Sequence, residues 1–454
     1  MKLALKNELL KRTTSRCPVC RQACPAEVWR TGGIQPSVML KRTCPDRGEA
    51  SVCVASDARF YWLSHGRAEN ACGCAPGTCG SADGTNPGTL GRNADPGDAL
   101  GVMEKLSTCL ALIEIVHSCN LSCPTCFADS PWGIGATVDA EPLDQLQQRI
   151  QGVIDRKGKI EILQLSGGEP TLHPQFFELL EWLHANPGID YVLLNTNGVR
   201  IAGDDEFAAR LARTFRYGKF QLYLQFDGPQ AAGQKVLRGG DLRVLRERCL
   251  ARCQEMKLPV TLAMTVTREN LPHLWDAIEF GLKYPNVRGI SFQPVFGSGR
   301  IPRADAQPLN TADIILAAVG QSAGKLRFED FTPLPCGDPN CATIGYLLKV
   351  GGEIRSVSDF IDFKNVQGFL GTKVRYKLED LMKCGCESEP LGELLKQFEL
   401  DESHTFRLFI KPFMDAATWD EDRIDRCCTH VIRPDGKLDS FCRYYSGFAD
   451  CTTK

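Results

Sequence analysis

The sequence predicts an α/β fold, an open partial (β/α)6 barrel with small cysteine-rich metal-binding regions at both ends. Three observations predict it. From about residue 108 to 325, short apolar, β-branched runs alternate with amphipathic stretches. Alternation at this spacing implies parallel strands joined by right-handed crossovers. The 22 cysteines gather mostly before and after that segment. Six strand–helix units fall short of a closed eight-unit barrel, so an open partial barrel is expected; an open doubly wound sheet is the alternative.

The elements follow in order. Leu110–Val116 reads as the first strand and 143–156 as its helix. Strands at 160–165, 191–195, 220–226, Val260–Val266 and 290–295 follow. Between them lie helices over 175–185, 204–213 and 241–256, and one opened by Asn270 with Pro272 close behind. In either architecture ligands sit beyond the C-terminal ends of the strands. The composition divides the rest into a metal-binding region over 1–65, a connector rich in Gly, Ala, Asn and Asp over 66–107, and a cysteine-bearing region over 326–454.

With 454 residues, 43% hydrophobic and 24% charged, the chain has the composition of an ordinary globular protein. Its formal net charge of -2 argues against a broad basic face for nucleic acid. No apolar run is long enough to span a bilayer, and the opening residues lack a secretory pattern, so a cytoplasmic location is expected. A disulfide framework suits short secreted chains; closely spaced cysteines in a long chain of this kind read as metal ligands. Cys249 and Cys253, at i and i+4 on one helix, read as core.

After the first strand comes Cys119-Asn120-Leu121-Ser122-Cys123-Pro124-Thr125-Cys126-Phe127. Three thiolates at this spacing can hold three irons of a 4Fe-4S cluster and leave the fourth open to an exchangeable ligand. A zinc knuckle or a ferredoxin-like site is the simpler alternative. After the second strand comes Gly167-Gly168-Glu169-Pro170, where glycines admit close backbone approach and a carboxylate can pair with an ammonium. Asn197 follows the third strand, and Gln225 and Asp227 close the fourth. Asn197-Gly198 and Asp227-Gly228-Pro229 are also ordinary turn signals. Thr265, Gln293 and Arg300 are weaker candidates.

The remaining cysteines form two further groups. In the C-terminal region lie Cys336, Cys341, Cys384, Cys386, Cys427, Cys428 and Cys442. A Pro-Asp-Gly turn predicts a hairpin that brings Cys427 or Cys428 near Cys442, and Cys336 and Cys341 can complete an auxiliary 4Fe-4S site. Cys384 and Cys386 serve a second cluster or replace two of these. At the N-terminus Cys17, Cys20 and Cys44 resemble half of a rubredoxin-like or zinc-ribbon site for iron or zinc, with Cys53 and Cys24 competing for the fourth place. Cys72, Cys74, Cys79 and Cys109 form another set.

The cysteine motif, the aromatic Phe127 and the Gly-Gly-Glu-Pro loop resemble the radical S-adenosylmethionine (SAM) superfamily. With Cys17-Pro18-Val19-Cys20, Thr43-Cys44-Pro45, Thr108-Cys109 and the terminal Cys427-Cys428-Thr429-His430, the chain resembles the tetraether lipid synthase-like proteins, a group that includes methyltransferases acting on a pterin. It departs from that group in the connector, where histidines expected before Thr108 are absent. The resemblance implies one-electron cleavage of SAM to a 5′-deoxyadenosyl radical. It assigns Cys119, Cys123 and Cys126 to the cluster, and Phe127, Gly167, Gly168, Glu169, Pro170, Asn197, Gln225 and Asp227 to SAM. It implies carbon–carbon bond formation or alkylation at an unactivated carbon of a lipid chain. The alternatives are methylation of a pterin-like heterocycle and maturation of a peptide. A reductant such as flavodoxin or ferredoxin is the expected partner. A lipid substrate would add peripheral membrane contact. The three readings predict, respectively, a long apolar tunnel, a short polar pocket and an open groove beside the cluster.

Overall fold

Residues 6–63, 108–301, 308–333, 337–350, 353–359 and 404–447 are described in the structure, a computed structural model. The expected site residues Cys72, Cys74, Cys79, Cys336, Cys384 and Cys386 lie outside the described residues.

The N-terminal residues form a four-stranded antiparallel sheet, β1 (Glu8–Arg16), β2 (Ala23–Arg30), β3 (Val38–Cys44) and β4 (Gly48–Ala55), in sequential order. Alternation sets its inner face. Val38, Leu40, Arg42 and Cys44 are buried along β3, while Lys41 and Thr43 between them are exposed.

The second sheet has 12 strands. Its centre is the predicted series: β5 (Leu110–Val116), β6 (Ile160–Gly167), β7 (Ile189–Thr196), β8 (Phe220–Gln225), β9 (Val260–Val266) and β10 (Val287–Pro294), all parallel and side by side. The helices α1 (Leu143–Lys157), α2 (Phe176–Ala185), α3 (Val199–Gly203), α4 (Asp205–Thr214), α5 (Gln234–Arg238), α6 (Arg243–Glu255), α7 (Leu274–Leu282) and α8 (Thr311–Gln321) lie in the connections and after β10. Local chemistry starts them. Asp204 accepts from the Phe207 N–H at the head of α4, and Asn310 and Asp313 cap each other's backbone at the head of α8.

Beyond the sixth unit, β11 (Thr332–Pro333), β12 (Thr343–Val350) and β13 (Glu353–Ser356) form an antiparallel extension. Next, β14 (Thr405–Ile410) pairs parallel to β10. The short helix α9 (Glu421–Ile424) leads to β15 (Thr429–Ile432), which pairs parallel to β5 at the opposite edge. The predicted Pro-Asp-Gly hairpin forms between β15 and β16 (Leu438–Ser440), and α10 (Phe441–Tyr445) follows. The C-terminal residues therefore extend the barrel sheet at both edges.

Parallel strands covered on both faces usually read as unbroken apolar runs. Here they do so on one face only. Phe220, Leu222 and Leu224 of β8 and Leu262, Met264 and Val266 of β9 pack into the helix layer. Gln221, Tyr223 and Gln225 of β8 and Thr261 and Thr265 of β9 line a cavity on the other face. Cys249 and Cys253 are fully buried core residues on α6, as expected. No helix among the described residues is long and apolar enough to cross a membrane.

Candidate active site and metal centres

The loop from β5 carries Cys119, Cys123 and Cys126 to the C-terminal ends of the strands, and all three line a cavity of about 330 Å³. Several contacts fix that loop. The Arg300 guanidinium donates to the carbonyls of Cys123 and Ser130, each at 3.0 Å, and its backbone N–H to the Cys126 carbonyl at 2.9 Å. The preceding Gly299 sits at φ +55° with its backbone against the Cys126 and Phe127 carbonyls, where a Cβ would collide. Thr125 donates to the Leu237 carbonyl on α5.

The β6 loop presses on the same turn. Gly168 N–H donates to Val116 O at 2.8 Å and Glu169 N–H to Ser118 O at 3.0 Å. A Cβ on Gly168 would strike the Ser118 carbonyl, so glycine is needed for this close approach. Gly167 and Gly168 face the cavity. Glu169 and Pro170 do not; they stand behind its wall. The Glu169 carboxylate is buried and accepts from Thr171 N–H and Oγ1, Thr196 Oγ1 and Asn197 N–H at 2.7–3.2 Å. Burial pushes its pKa up against these donors. Both oxygens are engaged by protein, so the carboxylate ties the β6 loop to the end of β7.

Asn197 joins that brace to the cysteine loop. Its Nδ2 donates to Asn120 Oδ1 at 2.7 Å and lies 3.8 Å from Cys119 Sγ. Burial and the Glu169 carboxylate push the Cys119 thiol up to about 12, so thiolate character there comes with a bound metal.

Asp227 organises the opposite wall. It is fully buried at φ 63°, a left-handed conformation uncommon outside glycine. Arg238 pairs with it at 2.6 Å, Gln225 Nε2 donates to it at 2.7 Å, and Arg246 lies 4.0 Å away. Despite its burial, these arginines hold the carboxyl below its usual range. Gln225, Arg238 and Arg246 face the cavity while Asp227 stands behind them. Arg238 also lies near enough to the Cys123 thiol to act on it electrostatically. The sequence reading passed over Arg238 and Arg246, because nothing local ties residues on two helices to a strand-end aspartate. It also passed over most of the polar lumen. There a legible signal existed: Gln164, Asn195, Gln221, Tyr223, Ser291 and Arg407 interrupt apolar parallel strands at every second position.

Four C-terminal thiols gather beside this cavity. Burial, and after it the nearby Cys341 thiol, raise the pKa of Cys427, Cys428 and Cys442. Arg423 reaches Cys341 Sγ at 3.6 Å, and Lys411 offsets the thiols of Cys427, Cys428 and Cys442. Cys428 itself faces the cavity. Both ring nitrogens of His430 are occupied, one by Thr108 Oγ1 and one by Cys427 O, each at 2.9 Å. Cys109 stands next to this group, its N–H donating to Cys428 O.

At the N-terminus the sulfurs of Cys17, Cys20 and Cys44 lie within 4.8 Å of one another. Ligands 2.3 Å from one tetrahedral zinc are separated by roughly 3.8 Å, so the trio fits a single ion. Cys24 packs against the trio. Cys53 does not join it. It sits on β4, paired with Met39, and its thiol faces Asp313 on α8. Of the two cysteines that compete for the fourth position, Cys24 is the one packed against the trio.

Comparison with known proteins accords with this geometry. A model of the radical SAM superfamily matches residues 113–281, and a model of the HMPTM N-terminal zinc ribbon domain matches residues 9–56. A 7,8-dihydro-6-hydroxymethylpterin dimethyltransferase of Methanocaldococcus jannaschii is 26% identical over 96% of this chain and 93% of its own length. The chain is a radical SAM enzyme with an N-terminal zinc ribbon. Other relatives match over a smaller part. The mycofactocin maturase MftC of Mycobacterium tuberculosis is 28% identical over 44% of this chain and 48% of its own. A GTP 3',8-cyclase of Syntrophomonas wolfei is 26% identical over 40% of this chain and 55% of its own. Among solved structures, Streptococcus suis SuiB bound to S-adenosylmethionine aligns with a TM-score of 0.36 at 16% identity, covering 44% of each chain.

The donor set fits the cofactors of a radical SAM enzyme. Cys119, Cys123 and Cys126 supply three thiols from one braced loop, with the Asn197 amide and the Arg238 guanidinium placed to donate to cluster sulfur ligands. Gly167 and Gly168 offer backbone that a ligand can approach closely.

Proposed function

We propose that this radical SAM enzyme methylates a polar nitrogen heterocycle of the pterin class. The observation that carries the reading is the lining of the cavity facing Cys119, Cys123 and Cys126. Gln164, Asn195, Gln221, Tyr223, Gln225 and Gln293 offer amides and a phenol inside the barrel. Amide and hydroxyl groups match the alternating donors and acceptors of a fused nitrogen heterocycle. Several of them already bond one another or their neighbours, as Gln293 does Tyr223 and Gln225 does Asp227; an alkyl chain would leave their remaining donors and acceptors unmet, at a cost of about 1–3 kcal/mol per group. These polar positions, together with the pterin-named relative, favour the heterocycle over the lipid chain that the resemblance placed first. The relative that covers nearly the whole chain is named for a pterin, which supports the same reading.

Cys119, Cys123 and Cys126 would hold the 4Fe-4S cluster, which when reduced supplies cleavage of SAM to methionine and a 5′-deoxyadenosyl radical. Gly167, Gly168 and Asn197 form the cradle for SAM. Gln225, Arg238 and Thr265, fixed by Asp227, set the wall between SAM and substrate. Tyr223, which accepts from Gln293 at 2.8 Å, orients the lumen amides toward the ring. Cys341, Cys427, Cys428 and Cys442 would hold an auxiliary 4Fe-4S cluster next to the substrate, with Arg423 and Lys411 offsetting its charge. Cys17, Cys20, Cys24 and Cys44 would hold zinc or iron.

Anaerobically reconstituted enzyme, given SAM, a flavodoxin reductant and 7,8-dihydro-6-hydroxymethylpterin, should yield a methylated pterin by mass spectrometry. An unchanged pterin, with turnover of a fatty acyl chain or a peptide instead, would overturn the assignment.

A further inference from the structure

The cavity described above continues away from the cysteines. Gly218, Pro259 and Arg288, which precede or open β8, β9 and β10, also line it. The lumen therefore runs from the C-terminal to the N-terminal ends of the strands. From Gln293 down to Arg288 the span is roughly 16 Å at about 3.3 Å per strand residue. A bare bicyclic ring beside SAM does not fill that length.

The charge along the lumen is one-sided. Five cationic side chains line it, Arg238, Arg246, Arg288, Arg407 and Lys411, and no carboxylate does among the described residues. Three have an account already. Arg238 and Arg246 answer Asp227, and Lys411 sits among the C-terminal thiols and donates to Thr429. Arg288 and Arg407 line the far end, and of the two Arg288 is the one with unmet N–H groups. They are neighbours: Gly289 is the register partner of Arg407 on β14.

Arg288 reaches the lumen through a break in the sheet. The β9–β10 register shifts between Val287 and Gly289, so Arg288 is the extra residue of a bulge, a device that re-aims a side chain. Its Nη2 donates to the Tyr217 hydroxyl at 3.2 Å. Its Nε and Nη1 are buried and have no hydrogen-bond partner. Guanidinium N–H groups left unmet beside a cavity that no carboxylate lines among the described residues match an anion.

We infer that the lumen's far end is an anion subsite in which Arg288, with Arg407 beside it, binds a negatively charged tail on the heterocycle. The tail is a phosphate ester or a carboxylate, the two groups that meet an arginine fork. This deepens the pterin reading and rests on it for the ring, although the anion subsite stands on its own residues.

The test uses reconstituted holoenzyme with SAM and no reductant, so that binding is read without turnover. Three probes are titrated by calorimetry: 7,8-dihydro-6-hydroxymethylpterin, its phosphate monoester and a pterin bearing a glutamyl carboxylate. One charged probe should bind tighter than the neutral one by roughly tenfold or more. Arg288→Gln should remove that preference and leave the neutral pterin's affinity in place, and Arg288→Lys should keep part of it. Preference for the ester names a phosphate tail; preference for the glutamyl form names a carboxylate. Equal binding of all three, or a preference that survives Arg288→Gln, overturns the subsite. Inorganic pyrophosphate separates the two claims. If it binds wild type but not Arg288→Gln while no pterin binds, the anion subsite stands and the pterin reading falls.

Discussion

Asp227 shows what a single side chain does for this site. Its carboxylate, buried and held at a positive φ, receives Arg238, Gln225 and the Thr265 N–H, and Arg238 continues to the Thr265 hydroxyl. Asp227→Asn should leave two buried guanidinium groups without their counter-charge and destabilise the fold by about 3–5 kcal/mol. Denaturant titration under anaerobic conditions reads this, and an unchanged midpoint would contradict the role given to Asp227. His184 gives a pH-dependent example. Burial, with Arg216 and Lys219 near, lowers its pKa to about 4, and its Nε2 accepts from the Arg216 N–H. The folded state keeps the ring neutral, whereas the unfolded chain binds a proton below about pH 6.5. Its contribution is thus complete above pH 6.5 and is lost as pH falls toward 4. His184→Gln should flatten the thermal-midpoint profile over that window. Asp227-Gly228-Pro229 could be read as a turn or a site; in the structure it follows β8, and Asp227 fixes side chains that line the cavity. What the sequence could not supply was Arg238, which reaches Asp227 only once α5 is packed.

At the scale of elements, local patterning carried far. Leu110–Val116 and Val260–Val266 were expected and found with the same bounds. Both are β-branched runs between polar punctuation, so their limits are written locally. β7 extends beyond the expected 191–195 to Ile189–Thr196, since pairing with β6 recruits flanking residues that propensity leaves open. β14, and the pairing of the hairpin arm β15 with β5, escaped notice for a different reason. Each is short, and its place is set by pairing with β10 or β5 more than one hundred residues away in sequence. The Gly-Gly-Glu-Pro loop was visible as a motif, but its mechanics were not. Its glycines exist to meet the backbone of residues 116–118 as much as to admit a ligand. Gly168→Ala should cost about 1–3 kcal/mol by overpacking. It should also weaken SAM binding in equilibrium dialysis. Wild-type stability and affinity in that variant would refute the close approach.

In the whole molecule three cysteine groups take up three positions around one sheet. The ribbon is fastened to the C-terminal residues by Lys11 and Thr13, which meet Asp420 and Asp422. Those carboxylates hold the buried Lys11 ammonium above its usual range despite burial. The N-terminal metal count should fall by one in Cys24→Ser and stay whole in Cys53→Ser, measured by plasma mass spectrometry. The reverse result would return the fourth ligand to Cys53. Spacing alone grouped Cys17 with Cys20 and Cys44, but the choice of Cys24 needed the β1–β2 and β3–β4 turns in place. The C-terminal partition likewise depends on β15 and β16 bringing Cys427, Cys428 and Cys442 together, which the Pro-Asp-Gly turn foretold. The central claim is that Cys119, Cys123 and Cys126 form the open cluster that starts radical chemistry. Its most direct test is 5′-deoxyadenosine formation by anaerobically reconstituted wild type and Cys123→Ala, each with SAM and dithionite. Wild type should produce the nucleoside and the variant none. Equal production by both, or none from cluster-loaded wild type, would contradict the account.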